Sequence, residues 1–75
     1  MNDSVSIHTP FIKLDSLLKL SGVADTGGPA KEMVLAGWVK VNDEICTQRG
    51  KKILPGDHIA VDDGENHVEF SVISE

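Results

Sequence analysis

The chain is short of almost everything that staples or specialises a small protein. Its one cysteine, Cys46, permits no internal disulfide and makes no redox pair. A reducing compartment, the cytoplasm, is therefore expected. There is no tyrosine, one tryptophan and two phenylalanines, so aliphatic side chains must supply the core. No apolar run approaches the ~20 residues that a membrane-spanning helix needs. Met1 to Ile7 is polar and lacks the basic-then-apolar order of a secretory signal, so none is expected. Cations are scarce as well, with 7 Lys and Arg against 12 Asp and Glu and a net charge of −5. Taken alone, that deficit argues against a polyanionic partner.

What is present points to a folded unit. With 40% hydrophobic residues and 7 glycines in 75, the composition is that of a globular protein, and the length suits a single domain over 1–75. The charge is unevenly placed. All 7 cations lie between Lys13 and Lys52, where the acids are Asp15, Asp25, Glu32, Asp43 and Glu44, leaving that stretch at +2. From Ile53 onward there are acids and no Lys or Arg, a run at −6. A basic part is followed by an acidic one. An acidic tail that only keeps the domain soluble explains this as well as a binding face does.

Periodicity orders the elements. Leu14, Leu17 and Leu18 fall at i, i+3 and i+4, with Leu20 continuing the stripe, which predicts a first helix over Leu14 to Leu20 ending at Ser21-Gly22. Gly28 suits an N-cap and Pro29 a first helical position, which predicts a second helix over Pro29 to Ala36. Ala30, Met33 and Val34 form its apolar stripe, and Gly37 its C-terminal cap. The period then becomes two. Trp38 to Val41 and Glu44 to Thr47 read as a hairpin about Asn42-Asp43, and Gln48 to Lys52 as a polar loop. Pro55-Gly56-Asp57 predicts a type II turn. His58 to Val61 reads as a strand, Asp62 to Asn66 as a turn, and Val68, Phe70 and Val72 as a last strand with one dry face. Met1 to Ser6 is expected to fray, and Ile7 to Ile12 to be extended against the sheet. The fold class is α+β, a helix pair beside a small, mostly antiparallel sheet.

Catalytic constellations are absent from this pattern. His8, His58 and His67 stand in different elements, none at ligand spacing from another or from Cys46. They read as structural or surface histidines, and Cys46, in a strand with no helix after it, as an inert thiol. Asp62-Asp63 reads as a solvated turn pair, and Gly27-Gly28-Pro29 lacks phosphate-loop spacing. No enzyme, metal or cofactor is expected.

The cations are more informative. With Val39 and Val41 facing inward, pleating puts Trp38 and Lys40 on the other face, an aromatic plane beside an ammonium. Trp38 covering the edge of the helix pair is the competing reading. Lys31 would sit in the first turn of the second helix, where the dipole favours an anion. Thr26-Gly27-Gly28 lets a ligand approach that end closely. Arg49, Lys51 and Lys52 surround Gly50, in a loop that could equally be only solvated.

These residues, in this order, resemble the S4-type RNA-binding domain. Lys13-Leu14-Asp15 followed by Leu17-Leu18 is similar to that family's first helix start. Ala30-Lys31, Gly37, Val39-Lys40-Val41-Asn42 and Pro55-Gly56-Asp57 resemble its second helix, hairpin and later turn. The resemblance covers Phe11 to Val61, the expected core being 11–61 with an acidic strand region over 62–75. The short length and Thr26-Gly27-Gly28 are similar to its stand-alone bacterial YaaA/YbcJ-like branch. The resemblance implies a monomeric, cytoplasmic, non-catalytic protein binding structured RNA, ribosomal or transfer, by shape. It implies a surface over Lys13, Thr26, Lys31, Trp38, Lys40 and Arg49, to which the reading of the residues themselves adds Gly27, Gly28, Lys51 and Lys52. Two residues depart from the family: Gly27 stands where many relatives have a second arginine, and Asp43 replaces the usual turn glycine. The alternative is a protein-interaction or regulatory module that keeps the fold with little RNA affinity.

Overall fold

The leucine spacing does what helical periodicity requires. In the computed structural model, which describes residues 2–24 and 27–75, helix α1 runs Leu14–Leu20 with Leu14, Leu17 and Leu18 fully buried. Leu20 does not continue that stripe and is 57% exposed. It lies two residues past Leu18, about 200° round the helix, beyond an apolar face only ~100° wide. Ser21 closes the helix by donating to the Leu17 carbonyl, and Gly22 takes φ +84°.

Helix α2 spans Gly27–Leu35, two residues earlier than the sequence predicts at its start and one earlier at its end. Gly28 is therefore inside the helix and Pro29 is its third residue. The first four N–H groups of any helix lack an internal acceptor, so proline is tolerated throughout that turn. Ala30 and Val34 are buried. At the other end Trp38 N–H donates to the Met33 carbonyl and Gly37 N–H to that of Val34, both near 3.1 Å, with Gly37 at φ +79°. This is a Schellman closure, and it makes Trp38 the residue that leaves the helix.

The strands are β1 (Asn2–Ile7), β2 (Ile12–Lys13), β3 (Val39–Val41), β4 (Glu44–Ile45), β5 (Lys52–Ile53), β6 (His58–Asp62) and β7 (His67–Ser74). Five of them form a sheet in the order β1-β7-β6-β3-β4, and β2 pairs with β5 in a separate ribbon. The expected fraying of the start is wrong from Asn2 onward. β1 runs parallel to β7, with Val5 beside Val72 and Ile7 beside Ser74. Ile7 is buried and Val5 packs on the core, so burial holds a segment that looks merely polar. The expected extended stretch from Ile7 to Ile12 is also broken. Its ends belong to different sheets, with bends over 8–10.

The inner sheet face and the helix pair share one core, to which Val39, Val41, Ile53, Ile59, Val61, Phe70 and Val72 contribute from the strands. Among the described residues no polar or charged side chain is buried.

Two turns are tied together. Asn42 (φ +52°) and Asp43 (φ +70°) form the mirror-image hairpin turn that matches strand twist. Gly56 (φ +100°) makes the type II turn, closed by Asp57 N–H donating to Leu54 O. Asn42 Nδ2 donates to Asp57 Oδ1 at 3.1 Å, His58 N–H donates to Asn42 Oδ1 at 2.9 Å, and Leu54 N–H donates to Asp57 Oδ2 at 2.9 Å. Asn42→Ala loses the first two of these bonds and places a β-carbon-bearing residue without a helpful side chain in the left-handed region. It should cost about 1–3 kcal/mol. Asn42→Gly keeps the backbone at ease and should cost less. Urea titration of both variants checks the order.

Candidate nucleic-acid interface

Helix α1 has no side-chain N-cap, because Lys13 stands at that position with no capping bond. Its orphan N–H groups find acceptors elsewhere in the chain. Leu14 N–H donates to the Lys51 carbonyl and Asp15 N–H to the Arg49 carbonyl, each at 3.0 Å. The loop that supplies them is a turn about Gly50, closed by Lys51 N–H on Gln48 O at 3.1 Å. Its backbone carbonyls point at the helix, while the side chains of Arg49 and Lys51 are exposed. The β2–β5 ribbon then places Lys13 opposite Lys52. Lys13, read from sequence at a helix start, thus joins the loop cations Arg49, Lys51 and Lys52 on one platform.

The Lys13/Lys52 pairing is electrostatically adverse. Like charges directly opposite on neighbouring strands repel, at a cost of some tenths of a kcal/mol. Lys52 gains partial relief, its Nζ lying 4.8 Å from the centre of the Phe11 ring. No carboxylate lies within ion-pair distance of these four cations among the described residues. An anion on the platform would remove the repulsion.

The other expected site residues are more dispersed. Thr26 lies outside the described residues. Gly27 and Gly28 open α2, and Lys31, exposed, is its fifth residue and not in its first turn. The dipole argument for Lys31 weakens accordingly, since that effect fades within one turn. Trp38, 40% exposed, precedes β3, so strand alternation does not reach it. It lines a cleft with Gly22, Val23, Met33, Val61 and Val68, at the edge of the helix pair. Lys40 alone projects from β3 away from the core, between buried Val39 and Val41.

That outer sheet face is not a basic one. Lys40 is beside Ala60, and Ala60 is beside Glu69. Glu69 joins two histidines that are nine residues apart in sequence. His58 Nε2 lies 2.9 Å from its Oε1 and His67 Nε2 lies 2.9 Å from its Oε2. His67 Nδ1 also approaches Asp62 Oδ2 at 3.4 Å, and His58 Nδ1 lies 3.2 Å from Ser71 Oγ. The sequence reading missed this network because only the β6–β7 register, with Asp62 opposite His67, brings it together. Among the described residues no three His, Cys, Asp or Glu side chains are placed to hold a metal.

The network couples stability to pH. Hydrogen bonding to Glu69, then to Asp62, raises the His67 pKa above its ordinary value. Bonds from His58 and then His67 lower that of Glu69. The Gly64 N–H, then His67, lowers that of Asp62. The raised histidine contributes stability below an unfolded value of about 6.5 and loses it as pH rises through its folded value. The lowered carboxylates contribute above about 4 and lose it as pH falls through theirs. Relative to His67→Gln, the parent chain should gain most between about pH 4.5 and 6.5 and lose that advantage on either side. Denaturation midpoints of both proteins across pH 3–9 measure it.

The comparisons with known proteins agree with this architecture. A model of the S4 domain matches residues 5–69. The Probable ribosome maturation protein RlbA of Bacillus subtilis (strain 168) is 39% identical over 74 residues, covering 99% of this chain and 100% of that protein. The trimeric structure of Vibrio cholerae Heat Shock Protein 15 matches with a TM-score of 0.70 at 24% identity, over 79% of this chain and 59% of that one. The last likeness bears on fold alone. With the family model spanning most of its length and a full-length relative at 39% identity, the chain belongs to the S4 domain family.

Proposed function

We propose that this chain is a non-catalytic, RNA-binding accessory protein that recognises structured RNA, ribosomal or transfer, in ribosome maturation or translation. The observation that carries the reading is the platform of Lys13, Arg49, Lys51 and Lys52, held by backbone bonds to the start of α1. Cations carried on a backbone fixed to a helix start suit the phosphates of a folded RNA. Membership of the S4 domain family and a relative named for ribosome maturation support it. The chain acts as one S4-like unit over 1–75, as a monomer in the cytoplasm. Gly27, Gly28 and Lys31 at the start of α2 and Trp38 after its end are further contacts in this reading, to which the sequence adds Thr26. Lys40 contributes least, because it shares its sheet face with Glu69 and Asp62.

The acidic outer face favours a second reading, in which the fold serves a protein partner and RNA affinity is slight. Salt dependence separates the two. Four cations meeting phosphates give a slope of log affinity against log salt of about −2.8 to −3.6, at roughly 0.7–0.9 per contact. Removing two of them in Arg49→Ala/Lys51→Ala should flatten the slope by about 1.4–1.8, while Lys40→Ala should hardly change it. The measurement is a titration of a ribosomal RNA fragment at several salt concentrations. A slope near zero in the parent chain favours the protein-partner reading.

A further inference from the structure

Phe11 is an exposed aromatic that none of the readings above employs. It is 38% exposed and stands directly before β2 at the edge of the cationic platform. Its backbone carbonyl accepts a bond from Thr9 Oγ1 at 2.9 Å, which fixes the bend that carries it. Phe11 also lines a cleft whose other apolar walls are Ile7, Ile12 and Leu20, and whose polar rim includes His8 and Lys13. This is where the unexpectedly exposed Leu20 lies. The Lys52 ammonium sits over the Phe11 ring, so a second cation stands next to the cleft although Lys52 does not line it.

The combination narrows the occupant. A phosphate alone has no use for four apolar walls. An apolar peptide segment has no use for Lys13 on the rim and Lys52 over the ring. A nucleotide has both needs in one molecule, a flat ring with apolar faces and a charged phosphate about one sugar away. A paired base inside a helix has both faces covered by its neighbours, so only an unpaired base can offer one to a protein aromatic. We infer that the Phe11 cleft takes one unpaired base of a structured RNA, stacked on Phe11, while Lys13 and Lys52 hold the flanking phosphates. This rests on the RNA reading above and adds what that reading lacks, a preference for RNA with an unpaired nucleotide beside a helical stem.

The test uses the full chain and two RNAs, a hairpin with an unpaired loop and the blunt duplex of the same stem. Phe11→Leu keeps apolar bulk and removes the ring, and Phe11→Tyr keeps the ring. Phe11→Leu should weaken hairpin binding by about 5- to 150-fold, the range of one lost base stack. It should leave duplex binding and the melting temperature nearly unchanged, and Phe11→Tyr should bind the hairpin like the parent. Equal losses on both RNAs, or no loss on either, would overturn the base site while leaving the RNA reading standing. If the parent chain binds neither RNA, both fail together. Should the cleft instead receive an apolar side chain of a second copy, sedimentation will show self-association that Phe11→Leu abolishes, with the hairpin preference untouched. That result also overturns the base site.

Discussion

The start of helix α1 lacks a side chain able to cap it, and the rest of the arrangement follows from how that deficit is met. The carbonyls of Arg49 and Lys51 accept the free N–H groups of Asp15 and Leu14. These bonds join two stretches of chain more than thirty residues apart. Because the carbonyls turn inward, the side chains of the same loop turn outward. The requirement that a helix end satisfy its backbone therefore also sets where the cations stand. Basic side chains on a free loop would be scattered by their own conformational entropy. Here their backbones are held by the helix they cap, so less ordering remains to be done when an anion arrives.

The sheet plays the opposite part. Its inner face is wholly apolar where it meets the helices, and its outer face carries a short chain of histidines and carboxylates, His58, Glu69, His67 and Asp62. The acidic C-terminal part of the sequence is thus no loose appendage, since Phe70 and Val72 are core residues on the same strand as Glu69. The charge asymmetry along the chain becomes an asymmetry in space. Cations gather at the α1 end, and acids are drawn across the uncovered sheet. On the second face Asp62 and Glu69 offset Lys40, so a polyanion finds less attraction there than at the platform.

How much of this was legible depended on whether the controlling contact is local. The span of helix α1, the Asn42-Asp43 hairpin turn and the Gly56 turn are written in neighbouring residues and stand as read, while Leu20 leaves the apolar stripe expected of it. The start of α2 was set too late because Gly28 and Pro29 fit a cap and a first position as well as they fit the interior of a first turn. Trp38 was assigned to a strand face by alternation, yet the helix closure at Met33 and Val34 claims it first. The platform was visible only in parts. Arg49, Lys51 and Lys52 read as a loop and Lys13 as a helix start, and the backbone bonds that join them have no side-chain signature. The histidine network and β1 were invisible for the same reason, since strand register between distant segments cannot be read from either segment alone. Phe11 carried no signal beyond being aromatic.

The pairing of β1 with β7 has a temporal consequence. Asn2 lies beside Glu69, so the first strand of the sheet finds its partner only after nearly every other element exists. A chain emerging in order from a ribosome can form α1, α2 and the β3–β4 hairpin from contacts close in sequence. β1 must wait, unpaired, until β7 has cleared the exit tunnel. Closing a loop of that length is entropically demanding, so this step belongs late in folding. Ile7, one wall of the Phe11 cleft, belongs to that late strand. The cationic platform depends on bonds that end at Lys52, whereas the cleft beside it depends on β7. A nascent chain would acquire its charge pattern first and its apolar cleft last.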